Sequence, residues 1–369
     1  MSATTYIVPP VLTAPSDAPD SEKDKAAAKS ETARRSSPVS VSASGGAAFL
    51  EYVQEDLAAT EARMDGDVGT DIRTVSEVTR HILSAGGKRL RPAMVALSAR
   101  AVGTPIDPTR LATVGAAVEF VHMATLVHDD VVDNTATRRG RPTVNAVYGN
   151  GVAVLSGDYM LARAMRLLAI DGDLRIIRTV SEITIEMSEG EVMEISATGN
   201  SALPLADYYS ILRKKTACFV EGCCRCGAIL ANASPEIEAA LAEYGYRLGM
   251  AFQIADDLLD YTGDPRITGK PRGSDLKDGR ATLPFLIALN ESTEPERSLL
   301  LSAFGNPALS DGAVQDVCDL LTRHAAFDRT REVAREFVEQ SDAALTHLLP
   351  SIARDCFAAL TDYVIQRDR

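Results

Sequence analysis

The 369-residue sequence contains no tryptophan, five histidines and six cysteines, and aromatic residues make up only 5% of it. It has no GxSxG, HExxH, P-loop or GxGxxG element, which removes several enzyme classes. A secretory signal is missing too, because the early apolar run Tyr6-Ile7-Val8 stops at Pro9-Pro10. Cysteines 218, 223, 224, 226, 318 and 356 are therefore expected as free thiols in a reducing compartment. The four between Cys218 and Cys226 lack two separated CxxC arms, and their neighbours Phe219, Val220, Ala228 and Ile229 are apolar. They read as small buried groups filling a helix contact, not as a metal site. Basic charge is also in deficit: 38 Lys and Arg against 51 Asp and Glu leave −13, which argues against a nucleic-acid partner and makes any basic cluster local.

What is present is ordinary for a globular protein: 46% hydrophobic and 24% charged residues, which excludes a wholly disordered chain, a collagen-like fibre and a membrane bundle. Length alone, at about 150 residues per domain, suggests two or three domains. Composition suggests fewer. Residues 1–46 are mostly Ser, Ala, Pro, Thr and Gly, with five charges of each sign, and read as a disordered tail that cannot bury enough apolar surface to offset its ordering entropy. Its acidic members, Asp17, Asp20, Glu22, Asp24 and Glu31, argue against a transit peptide. Residues 47–369 read as one all-α body. No proline occurs between Pro142 and Pro204, apolar residues recur three and four apart (Ile176, Ile177, Val180, Ile183, Met187), and strands are not visible.

One local repeat stands out: Asp129-Asp130-Val131-Val132-Asp133 and Asp256-Asp257-Leu258-Leu259-Asp260, the same DDxxD pattern twice. On an α-helix, positions i and i+4 lie about 40° apart, so Asp129 with Asp133 and Asp256 with Asp260 form carboxylate pairs on one face. Their flanks are apolar (Ala124, Leu126, Val127; Phe252, Ile254, Ala255), whereas a solvated acidic face would have polar neighbours. Three like charges in one turn beside apolar surface are costly unless a cation neutralises them. All-oxygen sites suit hard cations, and Mg²⁺ keeps waters and shares one or two carboxylates with substrate phosphates. Two facing motifs would hold a cluster of Mg²⁺ ions, and the expected ligand is a diphosphate.

Basic groups to hold that anion lie close by in sequence. Gly86-Gly87-Lys88-Arg89-Leu90-Arg91-Pro92 puts Lys88 and Arg91 in a loop entering a helix, where backbone amides also favour anions. Arg138 and Arg139 follow the first motif, Lys214-Lys215-Thr216 opens the segment before the cysteine cluster, and residues 263–280 combine four glycines with Arg266, Lys270, Arg272, Lys277 and Arg280 as a mobile basic flap after the second motif. Any one pair alone would read as a solvated helix end. His122 lies two turns before Asp129 on the same face, a further phosphate contact or a core histidine, and His128 could be a helix-packing residue.

Six ordered blocks, GGKRLRP (86–92), HDDVVDNTATRRGRPT (128–143), SGDYMLARA (156–164), RKKT (213–216), FQIADDLLDYTGD (252–264) and GKPRGSDLKDGRATLP (269–284), resemble the trans-isoprenyl diphosphate synthases, and in detail the long-chain polyprenyl diphosphate synthases of quinone side-chain synthesis. The resemblance runs from about residue 48 onward. It implies an all-α isoprenoid-synthase bundle around a deep central cavity, a homodimer, and a cytoplasmic enzyme touching the membrane transiently to release an oily product. It further implies two to three Mg²⁺ ions, with Asp129, Asp133 and Asp130 on the allylic diphosphate and Asp256, Asp257 and Asp260 on the remaining metal. Lys88, Arg91, His122 and Arg139 would hold isopentenyl diphosphate; Arg138, Lys215, Thr216, Gln253 and Lys270 would hold or polarise the allylic partner. Arg280 stands where the family more often has Lys, which keeps the charge and changes the geometry.

Rival readings are a shorter-chain farnesyl or geranylgeranyl synthase, a terpene cyclase, an HD-type metal phosphohydrolase built on His128-Asp129, and a non-catalytic subunit of a heteromeric synthase. The intact second DDxxD argues against a cyclase and against a subunit that has lost its acids. The phosphohydrolase needs further His ligands that are not evident among residues 81, 122, 324 and 347. Thr125 and Ala124 lie four and five residues before Asp129, about 6 to 7.5 Å down the axis, and small side chains there leave a passage for a growing chain. Ala124→Phe is expected to shorten the product, and unchanged product length on chromatography would contradict that placing of the passage.

Overall fold

The structure is a computed structural model, and it describes residues 45–84, 86–138, 140–263 and 271–366. The expected tail, 1–46, lies outside the described residues except for Gly45 and Gly46, which begin the first helix. The described residues belong to one compact unit. The helices run α1 (Gly45–Tyr52), α2 (Gln54–Asp67), α3 (Arg73–Ser84), α4 (Leu90–Val102), α5 (Pro108–Val132), α6 (Val144–Tyr148), α7 (Asn150–Asp171), α8 (Leu174–Ala197), α9 (Leu205–Leu212), α10 (Cys218–Leu230) and α11 (Pro235–Thr262), followed by shorter helices to Gln366. Sequence reading missed one element: Thr137–Arg138 and Arg141–Pro142 pair antiparallel as a two-residue hairpin, too short to leave an alternating pattern.

Capping explains where the long helices begin. Asp107 accepts from the Thr109 N–H at 2.8 Å with Pro108 in the first turn of α5, and Ser234 with Pro235 starts α11 in the same way. α5 is apolar around most of its circumference and is buried from Leu111 to Val121 with little interruption. It is long and apolar enough to cross a membrane, yet most of it is covered by protein, which marks a central core helix. α7, α2 and α4 pack around it, and α10 bridges α4, α8 and α11.

The cysteines occupy this core as expected. Cys218, Cys223, Cys224 and Cys226 are free and buried in α10, as are Cys318 and Cys356 elsewhere. Burial pushes the Cys218 and Cys224 thiols up to about 12, which leaves them unreactive. α10 sits so close to α4 that a Cβ on Gly227 would come within 2.3 Å of the Val95 carbonyl oxygen. This packing holds α5 and α11 on either side of a cleft, with both acid motifs near the carboxyl ends of their helices.

Candidate active site

The motifs fall on the helices the spacing predicted. α5 closes at Val132 and Asp133 caps it, its N–H donating to the Asp129 carbonyl at 2.8 Å. Asp256, Asp257 and Asp260 lie in the last two turns of α11 and line a cavity of about 370 Å³ together with Glu194, Lys215, Gln253 and Arg280. Two cations tie the first motif to this cleft. Arg280 reaches Asp133 at 3.4 Å and Asp275 at 3.8 Å, while the field of Lys215 acts on Asp129.

Burial and the neighbouring Glu191 push the Asp129 carboxyl up to about 6, against the pull of Lys215 and Arg138. Asp257 is raised well above the usual carboxylate range, chiefly by burial and then by Asp275, although it accepts from the Tyr208 hydroxyl at 2.7 Å and from the Gln253 amide at 3.4 Å. Burial also raises Asp130, and Arg138 Nε donating to it at 2.9 Å works the other way. Such excess carboxylate facing a cleft fits a divalent ion, and the donors are all oxygens. Among the described residues, however, no three His, Cys, Asp or Glu side chains converge on a point as a ready-made metal site. The two rows are linked through the shared cations Lys215 and Arg280, so a ligand bringing its own oxygens would have to complete the coordination.

Lys215 is positioned by an interruption in helix geometry. Arg213–Ala217 forms one π-helical turn between α9 and α10, a widening that occurs preferentially at functional sites. Its Lys215 ammonium pairs with Glu191 at 2.9 Å and with Glu194. Burial works against that charge, but the two carboxylates outweigh it and hold the ammonium above its ordinary value. Thr216 on the same turn donates to Gln253 at 2.9 Å, so these two expected substrate contacts touch each other and, through Gln253, Asp257. α8 can approach the turn only because residue 190 is glycine: a Cβ there would lie 2.7 Å from the Lys215 backbone nitrogen.

Several of the other predicted substrate contacts line a second cavity, of about 870 Å³, beside the first motif. Lys88, Arg91, His122, Arg138 and Thr216 are on its wall with Asp130. The Phe219 ring lies between two of them, 6.1 Å from the His122 ring and 5.6 Å from the Arg91 guanidinium carbon. Lys88 donates to the Tyr363 hydroxyl at 3.0 Å and stands over that ring, and Leu360, Val364, Phe49 and Leu50 close the apolar side.

Several expectations land differently. Arg139 and Lys270 lie outside the described residues, as does 264–270 of the expected mobile flap. The described part of that flap is tied down: the Asp260 carboxylate accepts from the Ser274 and Asp275 N–H groups at 3.2 and 3.1 Å, capping the helix Ser274–Asp278. Ala124 is fully buried in the core and Thr125 donates to the His122 carbonyl; neither is among the residues lining the two cavities. His128 packs as a helix-contact residue, with Nε2 3.1 Å from the Val154 carbonyl oxygen, which removes it from the metal role a phosphohydrolase would need. Glu191, Glu194, Tyr208 and Tyr363 were not foreseen. The two glutamates stand three apart on α8, a spacing visible in sequence, but their partner Lys215 is brought in only by the fold.

The all-helical bundle has the isoprenoid-synthase fold, and its relatives make it a prenyltransferase. Residues 72–321 match the model of the polyprenyl synthetase family, whose members depend on Mg²⁺, and the chain belongs to that family. It is 35% identical over 319 residues to the octaprenyl diphosphate synthase of Escherichia coli, covering 86% of this chain and 98% of that protein. The crystal structure of a decaprenyl diphosphate synthase from Rhodobacter capsulatus superposes with a TM-score of 0.82 at 35% identity, over 87% of this chain and 98% of the other. A polyprenyl synthase from Caulobacter crescentus, crystallised with calcium and isoprenyl diphosphate, matches with a TM-score of 0.81 at 31% identity over 88% and 98% of the two chains.

Gly190→Ala is expected to push the π turn and Lys215 away from the cleft. A displacement of about 1 Å can cost about 10²-fold in rate, so turnover should fall at least tenfold, and the overpacking should lower the melting temperature by several degrees while the protein stays folded. Steady-state kinetics with thermal unfolding checks this.

Proposed function

We propose that the chain builds a long all-trans polyprenyl diphosphate, octaprenyl to decaprenyl, by repeated condensation of isopentenyl diphosphate onto an allylic diphosphate. The observation that carries this is the pair of facing DDxxD rows, drawn to one cleft by Lys215 and Arg280, beside a separate cavity with its own cationic set. Asp129, Asp133, Asp256 and Asp260 are the residues that would hold two to three Mg²⁺ ions, with Asp130 positioning Arg138 and Asp257 positioned by Tyr208. When bound, the metal supplies Lewis acidity toward the departing diphosphate.

The protein's own groups do the rest. Lys215, Arg138 and Arg280, with Lys270 and the Thr216–Gln253 pair, bind the allylic diphosphate and stabilise the charge that develops as its C–O bond ionises. Lys88, Arg91, His122 and Arg139 hold isopentenyl diphosphate so that its double bond meets the allylic cation, and the released diphosphate takes the proton. No side-chain nucleophile is required. The apolar walls exclude water from the cation. Exposed apolar residues along α7 and α8, among them Leu155, Met165, Leu174 and Val192, support a second copy of the chain as the partner. We place the enzyme in the cytoplasm, with transient membrane contact to discharge an oily product; Ala124 and Thr125 remain the proposed determinants of its length.

Incubation with farnesyl diphosphate, isopentenyl diphosphate and Mg²⁺, followed by dephosphorylation and sizing, should yield octaprenyl to decaprenyl alcohols. Asp129→Asn or Asp256→Asn should lower turnover by about 10²-fold or more, the scale of losing one preorganised charge contact. Product stopping at farnesyl or geranylgeranyl length would contradict the long-chain reading, and undiminished turnover in the variants would contradict the site.

A further inference from the structure

Glu119 is a buried acid that the reaction does not use. It sits in the apolar middle of α5, its side chain 5% exposed, among Val118, Phe120 and Val121. One carboxylate oxygen accepts from Arg89 Nη1 at 2.9 Å, and the other, Oε2, is buried and takes no hydrogen bond from the described protein. Arg89 in turn forks between two helices, its Nε donating to Glu61 of α2 at 3.1 Å. A buried ion pair with an orphaned oxygen is a poor source of stability, because its desolvation offsets its attraction.

Its position suggests another use. Arg89 has a left-handed backbone, φ 49°, at the N-terminal boundary of α4, a conformation that ordinarily favours glycine. Lys88 precedes it directly and Arg91 follows two residues later, and both reach the wall of the larger cavity, as does Glu119 itself. Glu119 lies one turn before His122 on α5. The guanidinium of Arg89 thus ties the loop carrying two candidate phosphate ligands to the helix carrying the third.

We propose that the Arg89–Glu119 pair positions the isopentenyl diphosphate subsite: it holds the chain reversal at residue 89 so that Lys88 and Arg91 face the same anion as His122. The inference rests on the reading of these three residues given above. Both residues are positioning residues, since neither is assigned a substrate contact. An arginine suits the task because its planar fork addresses two acids at fixed angles, which an ammonium cannot do.

The experiment compares wild type, Glu119→Gln, Arg89→Lys and the apolar double variant Arg89→Met with Glu119→Leu. It measures the KM for isopentenyl diphosphate, the KM for farnesyl diphosphate, calorimetric binding of isopentenyl diphosphate alone, and the melting temperature. Glu119→Gln should raise the isopentenyl diphosphate KM about tenfold and weaken calorimetric binding in step, with the farnesyl diphosphate KM within about twofold. Arg89→Lys should raise the isopentenyl diphosphate KM less than the double variant does. The double variant should match or exceed wild type in melting temperature yet keep the raised KM, which a purely structural pair would not do. Equal rises in both KM values, or a double variant whose isopentenyl diphosphate KM returns to wild type, would overturn the proposal. Absence of any condensation by wild-type protein would overturn the reading of the subsite itself; normal wild-type turnover with an unchanged KM in Glu119→Gln would overturn the positioning role alone.

Discussion

Carboxylates confronting one another across an apolar bundle repel, and the rest of the site is arranged around that repulsion. Lys215 and Arg280 answer part of it, each shared among several acids: Lys215 between Glu191 and Glu194, Arg280 among Asp133, Asp275 and Asp278. Burial adds to the strain: it is the main cause that raises the Asp129 and Asp257 carboxyls, with Glu191 and Asp275 adding to it. Among the described residues no three acidic side chains converge on one point, although Asp130, Asp257 and Asp260 each accept hydrogen bonds from the protein. On the reading proposed above, an ion held there would also need phosphate oxygens, which would couple metal binding to substrate binding.

Scaffold and site are linked by a few local departures from regular helix. The π turn at Arg213–Ala217 swings Lys215 toward α8, and the left-handed Arg89 turns the glycine-punctuated loop back on the cavity. Both departures are pinned from outside: the first by the close approach of Gly190, the second by an ion pair reaching into α5. The helices supply rigidity, and the irregular joints place the cations.

Much of this was legible in the sequence for physical reasons. Helical periodicity and the proline-free stretch between Pro142 and Pro204 revealed the all-α body, and the i, i+4 spacing of paired aspartates placed both acid motifs near the ends of long helices, where they lie. The apolar neighbours of Cys223 and Cys226 pointed to core packing, which is where those thiols lie. What stayed hidden depends on contacts distant in sequence. Glu194 meets Lys215, Tyr208 meets Asp257 and Tyr363 meets Lys88 only once the bundle is assembled. Glu119 was masked by the apolar run around it, and the hairpin at Thr137–Pro142 is too short to carry a pattern. Ala124 is buried in the core helix, and a small residue packed in a core and a small residue beside a channel look alike in one dimension.

The central claim is that the facing acid rows bind Mg²⁺ together with diphosphate and only weakly without it. Calorimetric titration of the protein with Mg²⁺, in the absence and presence of inorganic diphosphate, tests this most directly. The account predicts that diphosphate tightens Mg²⁺ binding by at least tenfold, and that Asp129→Asn removes this tightening. Equally tight Mg²⁺ binding with and without diphosphate would contradict it.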